Sequence, residues 1–285
     1  MKRSLFYLTI ALLFALSACG GNDESAAGDV DSSSQQESEN TEEQAEKNNQ
    51  ENNTEEDVEE GEEDVESEEV AAEPEEPKYE ISDNWSVVPL DDANEEVVLV
   101  TIDDAPDENA LEMAETLNEL DADAIFFVNG HFLDTPEDEE KLKEIHEMGF
   151  AIGNHTFNHP TIPELSEEEQ KEEIISLSDR VEEIIGERPS FFRAPHGANT
   201  DYSIQVAEDE GMTVMNWSYG YDWNEEYMDE DAIADIMVNT EFLGNGSNLL
   251  MHDRDWTAAA LSDIVNGLRD KGYEPVDPDL IQKPE

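Results

Sequence analysis

Beyond residue 95 the sequence alternates short apolar runs with charged amphipathic stretches, and this alternation restricts the fold more than any other feature. EVVLVTI (96–102) reads as a buried strand, and PDENALEMAETLNEL (106–120) as a helix with Pro106 in its first turn. AIFFVNG (124–130) is a second strand, PEDEEKLKEIHEMG (136–149) a helix closed by Gly149, and FAIGNH (150–155) a third strand. Ser166 opens a long helix reaching Gly186, with Glu169 three residues on, the spacing of a capping box. SFFRAP (190–195), a short helix near 201–210, MTVMNWSY (212–219), a helix near 230–242, NLLMHD (248–253) and a last helix near 256–270 continue the rhythm. No repeat of fixed length runs through it. This is the pattern of a parallel α/β fold, and about seven units favour a distorted (β/α) barrel over an open sheet.

In such a barrel the C-terminal ends of the strands gather on one face and build the site. The unusual residues lie at those ends. Asp103 and Asp104 close one strand, His155 another, and Arg193 and His196 another. Asp222 follows a further run, and His252 with Asp253 closes the last. GNHTFNHP sets His155 and His159 four residues apart, so both imidazoles can point the same way on a helical turn. A carboxylate from elsewhere would complete a facial metal set with open positions; the alternative is a pair of surface histidines. His131 and His146 read as structural or solvent-facing, and Asp253 as a cap on the last strand.

The first eighty residues have a different composition. Lys2 and Arg3, the apolar run LFYLTIALLFAL and small residues before Cys19 form the three parts of a secretory signal over residues 1–18. LSAC (16–19) resembles the bacterial lipobox, which implies lipid on Cys19, a membrane anchor, and a place on the extracellular face of the bacterial cytoplasmic membrane. Between residues 21 and 80 stand 25 acids against two lysines, with no aromatic before Tyr79, so residues 19–80 read as a disordered acidic tether. That leaves 81–285 as the folded domain, with 51 acids and ten lysines or arginines. Such a surface cannot neutralise phosphates, so nucleic acid is not an expected partner. Cys19 is the only cysteine, which excludes an intrachain disulfide; a monomer is expected.

Five segments carry a resemblance. TIDDAP (101–106) is similar to the TFDDGP motif, HTFNH (155–159) to H-[ST]-x-x-H, and RAPHG (193–197) to R-x-P-[YH]-G. YDW (221–223) resembles the end of a fourth motif and LMH (250–252) the L-x-H motif, all of polysaccharide deacetylases, the NodB-homology family or carbohydrate esterase family four. The match runs in order over about 95–276. It implies that Asp104, His155 and His159 hold a divalent metal, usually zinc, with cobalt, nickel or manganese as alternatives. It implies Asp103 as general base, His252 as general acid, Arg193 as the partner of Asp103, and Asp222 as the partner of His252. His196 would offer a backbone N–H to the oxyanion, and Trp223 and Leu250 would wall an acetyl pocket.

The implied reaction removes N-acetyl groups from N-acetylglucosamine in cell-wall polysaccharide, with peptidoglycan foremost. Chitin fragments, exopolysaccharide or O-acetyl esters would serve the same chemistry, and a non-catalytic glycan-binding or metal-binding lipoprotein is the alternative class. Two departures bear on that choice. Ala105 replaces a glycine, which would narrow the cleft or tilt the loop if the backbone there needed positive φ. The fourth motif is one residue short between Trp217 and Asp222, which puts the orientation of Asp222 in question.

Overall fold

The structure, a computed structural model, describes residues 76–284. The expected signal peptide, Cys19 and all but the last few residues of the expected tether lie outside the described residues. Two short strands, β1 (Tyr79–Ile81) and β2 (Val87–Pro89), pair antiparallel, so regular structure starts two residues before the expected boundary at 81. Then follow β3 (Val97–Ala105), α1 (Ala110–Glu119), β4 (Ile125–Val128), α2 (Pro136–Glu147), β5 (Ala151–Asn154) and α3 (Glu167–Ile185). The chain continues through β6 (Phe191–Phe192), α4 (Asp201–Asp209), β7 (Thr213–Val214), β8 (Tyr219–Gly220), α5 (Glu230–Asn239), β9 (Ser247–His252), α6 (Asp255–Asp270) and β10 (Glu274–Pro275).

Strands β3 to β9 form one curled, all-parallel sheet in the order β7-β6-β5-β4-β3-β9-β8, with β10 beside the start of β3. Parallel neighbours need crossovers, and the helices supply them. The result is the expected (β/α) barrel in distorted form, a curled half-barrel whose edges are β7 and β8. The long helix begins as its sequence indicates: Ser166 Oγ accepts from the Glu169 N–H while Glu169 accepts from the Ser166 N–H. Helix α1 starts at Ala110 rather than Pro106, because β3 runs on through both aspartates and the intervening residues turn. The Asp253 carboxylate accepts the N–H groups of Asp107, Asn109 and Ala110, so it secures the entry to α1 rather than the end of its own strand.

MTVMNWSY is not one strand. Its first part pairs with β6 and its last with β9, at opposite edges of the sheet. Residues 215–218 cross between them, anchored by Met215 N–H to Phe192 O and Ser218 N–H to Asn248 O.

Two hydrophobic layers fix which way each strand residue points. Val98, Val100, Ile102, Phe126 and Val128 pack with the helices, whereas Val97, Leu99, Ile125, Phe127 and Phe191 pack together on the other face. Phe192 and Ala194 again pack outward, with residues of α3 and α4. Each large apolar side chain so buried contributes roughly 1.5–3 kcal/mol. More important for function, this alternation is a ruler that continues into the polar residues at the strand ends.

Candidate active site

Counting along that ruler, Thr101 and Asp103 share the inner face with Leu99, Arg193 with Phe191, and His155 with Ala151 and Gly153. Leu249 and Met251 pack outward, which leaves Asn248, Leu250 and His252 inward. The expected site residues therefore converge from four strands onto one inner face. They surround a cavity of about 420 Å³ whose polar wall includes Asp103, Asp104, His155, His159 and His252. His196, Trp217, Trp223 and Leu250 complete it.

Asp103 and Arg193 form a buried ion pair, Nη1 donating to Oδ1 at 2.6 Å, with exposures of 2% and 0%. The guanidinium also donates to Thr101 Oγ1 (2.7 Å), Asn216 O (2.9 Å) and Asn248 Oδ1 (3.2 Å), and lies 4.2 Å over the Phe127 ring. Where the chain leaves the sheet at 215–218, the Asn216 carbonyl accepts from both Arg193 and Asn248 Nδ2. With Oδ1 taken, Asp103 turns Oδ2 toward His155 Nε2, 3.6 Å away.

Asp104 breaks the strand alternation with φ of 61°, which lets its carboxylate meet the imidazoles instead of the helices. Its Oδ1 lies 3.5 Å from His159 Nε2 and 3.9 Å from His155 Nε2, and the ligand atoms of all three residues lie within 4.8 Å of one another. His155 Nδ1 donates to Arg193 O at 2.7 Å, which leaves Nε2 as the lone-pair atom facing the carboxylates. Burial holds the His155 pKa below its ordinary value, and burial together with His155 pushes His159 down to about 4. Both rings are therefore neutral at pH 7, the form that binds a metal. Burial opposes ionisation of Asp104, but His252, the two imidazoles and Arg254 outweigh it and lower its pKa. One carboxylate and two neutral imidazoles, facing a cavity, fit a divalent ion such as zinc.

Across the cavity His252 Nδ1 donates to Asp222 Oδ1 at 2.7 Å, while Asp222 Oδ2 accepts the His252 N–H (2.6 Å) and Thr257 Oγ1 (3.0 Å). The shortened fourth motif thus costs Asp222 nothing; it is 1% exposed and held by three donors. Burial works against a charged His252, yet the Asp222 hydrogen bond and charge prevail and raise its pKa. Asp103 and His252 are register partners on the parallel strands β3 and β9, so their side chains project from neighbouring strands onto the same inner face and line one cavity.

Ala105 is fully buried in β3 opposite Val128, and the positive φ falls on Asp104 instead. A glycine's freedom is therefore not required there, and Ala105 packs on the helix side and does not line the cavity. Trp223 is exposed, edge-on to His252 and to Trp217, and Leu250 is buried below them. His196, exposed, meets His159 edge to face at 5.0 Å. Positive φ at Thr156, His159 and His196, as at Asp104, concentrates backbone strain around the cavity.

Several contributors were not apparent in the sequence. Asn129 Nδ2 donates to the His155 and Thr156 carbonyls while its own N–H bonds Ala105 O, tying the two metal-facing segments together. Asn216, Asn248 and Arg254 also join the site. Their only sequence signal was nearness to motif residues. His131 is exposed and bonded to Phe157 O, and His146 lies away from the cavity.

A family profile described as polysaccharide deacetylase matches residues 91–215. The chain is 31% identical to a chitooligosaccharide deacetylase of Azorhizobium caulinodans, over 63% of this chain and 91% of that protein. It is 30% identical to the uncharacterized protein YlxY of Bacillus subtilis, over 56% of this chain but only 49% of that protein, so it spans about half the length of that relative. The solved structure of the peptidoglycan deacetylase PdaC from Bacillus subtilis superimposes with a TM-score of 0.58 at 29% identity, covering 65% of this chain and 89% of that one.

Proposed function

The chain belongs to the polysaccharide deacetylase family, and on that premise we propose that it removes N-acetyl groups from N-acetylglucosamine in cell-wall polysaccharide, with peptidoglycan as substrate. One observation carries this reading. Asp103 and His252, register partners on adjacent strands, each have one side-chain atom fixed by a buried partner and the other free for the same cavity.

Asp104, His155 and His159 would hold the metal, zinc first, which when bound makes water acidic and polarises the acetyl carbonyl. Asp103 is the general base: Arg193 occupies Oδ1, and Oδ2 receives the proton of the attacking water. His252 is the general acid. Asp222 holds its Nδ1 proton, so the Nε2 proton is the one delivered to the sugar nitrogen, which leaves poorly as an unprotonated amine. The backbone N–H at His196 would steady the developing oxyanion, and Trp223 and Leu250 would enclose the acetyl methyl group.

The signal at 1–18 and the LSAC sequence support lipid on Cys19 and a position at the outer face of the bacterial cytoplasmic membrane, with residues 19–80 giving reach toward the wall. Cys19→Ala should then shift the protein from the membrane fraction to the medium. For the activity, metal-stripped protein reloaded with zinc should release acetate and free amine from peptidoglycan with higher kcat/KM than from chitin oligomers, poly-N-acetylglucosamine or O-acetyl esters. Glycan binding without release from any of these would overturn the enzymatic reading.

A further inference from the structure

Asp104 shares its carboxylate between two neighbours. Oδ1 faces the two imidazoles, while Oδ2 accepts a hydrogen bond from Arg254 Nη2 at 2.7 Å. Arg254 is the N-cap residue of α6, and its Nη1 donates to Asp253 O at 2.7 Å, so the guanidinium is braced at both ends. Asp253 is itself buried and fastened to the loop leading into α1. Among the described residues only Arg193 and Arg254 hydrogen-bond the aspartate pair through cationic side chains, one on each aspartate. Arg193 is fully buried, whereas the Arg254 side chain is 36% exposed.

We infer that Arg254 is a positioning residue for Asp104: it occupies Oδ2, presents Oδ1 alone to the metal, and weakens the site's hold on that ion by its own positive charge. The inference rests on the metal reading of Asp104, His155 and His159. Carboxylates and carbonyls behind a ligand usually raise its donor strength, and a guanidinium does the reverse. A ligand shared with a cation neutralises less of the ion's charge, which leaves the ion a weaker guest and a stronger Lewis acid. The effect is moderated by the solvent that reaches Arg254.

The test uses the full chain and its Arg254→Met and Arg254→Lys variants, with zinc affinity read by competition with a chromophoric chelator, kcat and KM on N-acetylglucosamine oligomers, and melting temperature as a check on folding. Arg254→Met should bind zinc on the order of tenfold more tightly while kcat falls on the order of tenfold and KM changes little. Arg254→Lys should restore both quantities toward wild type. Opposite movement of affinity and rate is not what loosened packing would give. Unchanged zinc affinity and unchanged kcat in Arg254→Met would overturn the inference, and so would weaker zinc binding in that variant at an unaltered melting temperature. A wild-type chain that takes up no zinc would overturn the metal reading and this inference with it.

Discussion

Asp103 and Asp104 are adjacent in sequence but have different partners, because φ of 61° at Asp104 takes its side chain out of the strand alternation. Asp103 remains on the inner face with Arg193. Both members of that pair are buried, so removing one leaves an uncompensated charge. Arg193→Met should cost about 3–5 kcal/mol, measured by urea denaturation; a loss under 1 kcal/mol would show that the pair is not buried as described. His252 gives a pH prediction. Its folded-state pKa is raised above 6.5, so its proton stabilises the fold fully below 6.5, and that contribution fades as pH rises through the folded value. Catalysis that needs the proton should decline over the same window. Asp222→Asn removes the charge that favours the proton, and the alkaline limb of the kcat profile should move to lower pH. The two acids were legible in the sequence because they close a strand, and the histidine pair because His155 follows a strand with His159 four residues on. Arg254 and Asn248 were not, since each acquires its role from a partner far away in the chain, 150 residues in one case and 55 in the other.

The strands work as rulers, and their accuracy depends on a few tight contacts. On β5, Gly153 lies so close to Phe127 that a Cβ would stand 2.4 Å from its ring. Gly153→Ala must push Phe127 away from beneath the Arg193 guanidinium or displace β5 and His155 with it. A cost of about 1–3 kcal/mol is expected, together with weaker zinc binding; full stability and unaltered zinc affinity would contradict it. At β8, a Cβ on Gly220 would stand 2.4 Å from the Leu250 carbonyl, so Asp222 can reach His252 only because the chain is bare there. Most elements could be read from apolar period and caps, α3 and its capping box most directly. The division of 212–219 into β7 and β8 could not, because no glycine, proline or charge marks the break, and the residues that cross the sheet there are held by distant partners, Asn216 O by Arg193 among them. The β1–β2 pair leaves no such signal. Its strands are three residues each, too short for a period to register, and their pairing depends on each other.

For the whole chain, a formal charge of −62 sets the electrostatic background. Among the described residues only Asp103, Asp222 and Asp253 of the acids are buried, and repulsion among the others opposes the compact state and is screened by salt. The melting temperature should rise steeply from 0.1 M to molar sodium chloride, as followed by differential scanning fluorimetry; a flat response would show that the acids do not repel appreciably in the folded state. Against this background two cations reach the site, Arg193 buried and Arg254 partly exposed, each bonded to one of two neighbouring acids. That division underlies the central claim, that Asp103 is the base and Asp104 the ligand of a deacetylase. The most direct test is the release of acetate and free amine from wall glycan by zinc-loaded wild type and Asp103→Asn protein, matched for zinc content and melting temperature. Wild type should release the two products in equal amounts, and the variant should be slower by roughly 10²-fold or more. Equal rates in the two proteins would contradict the assignment.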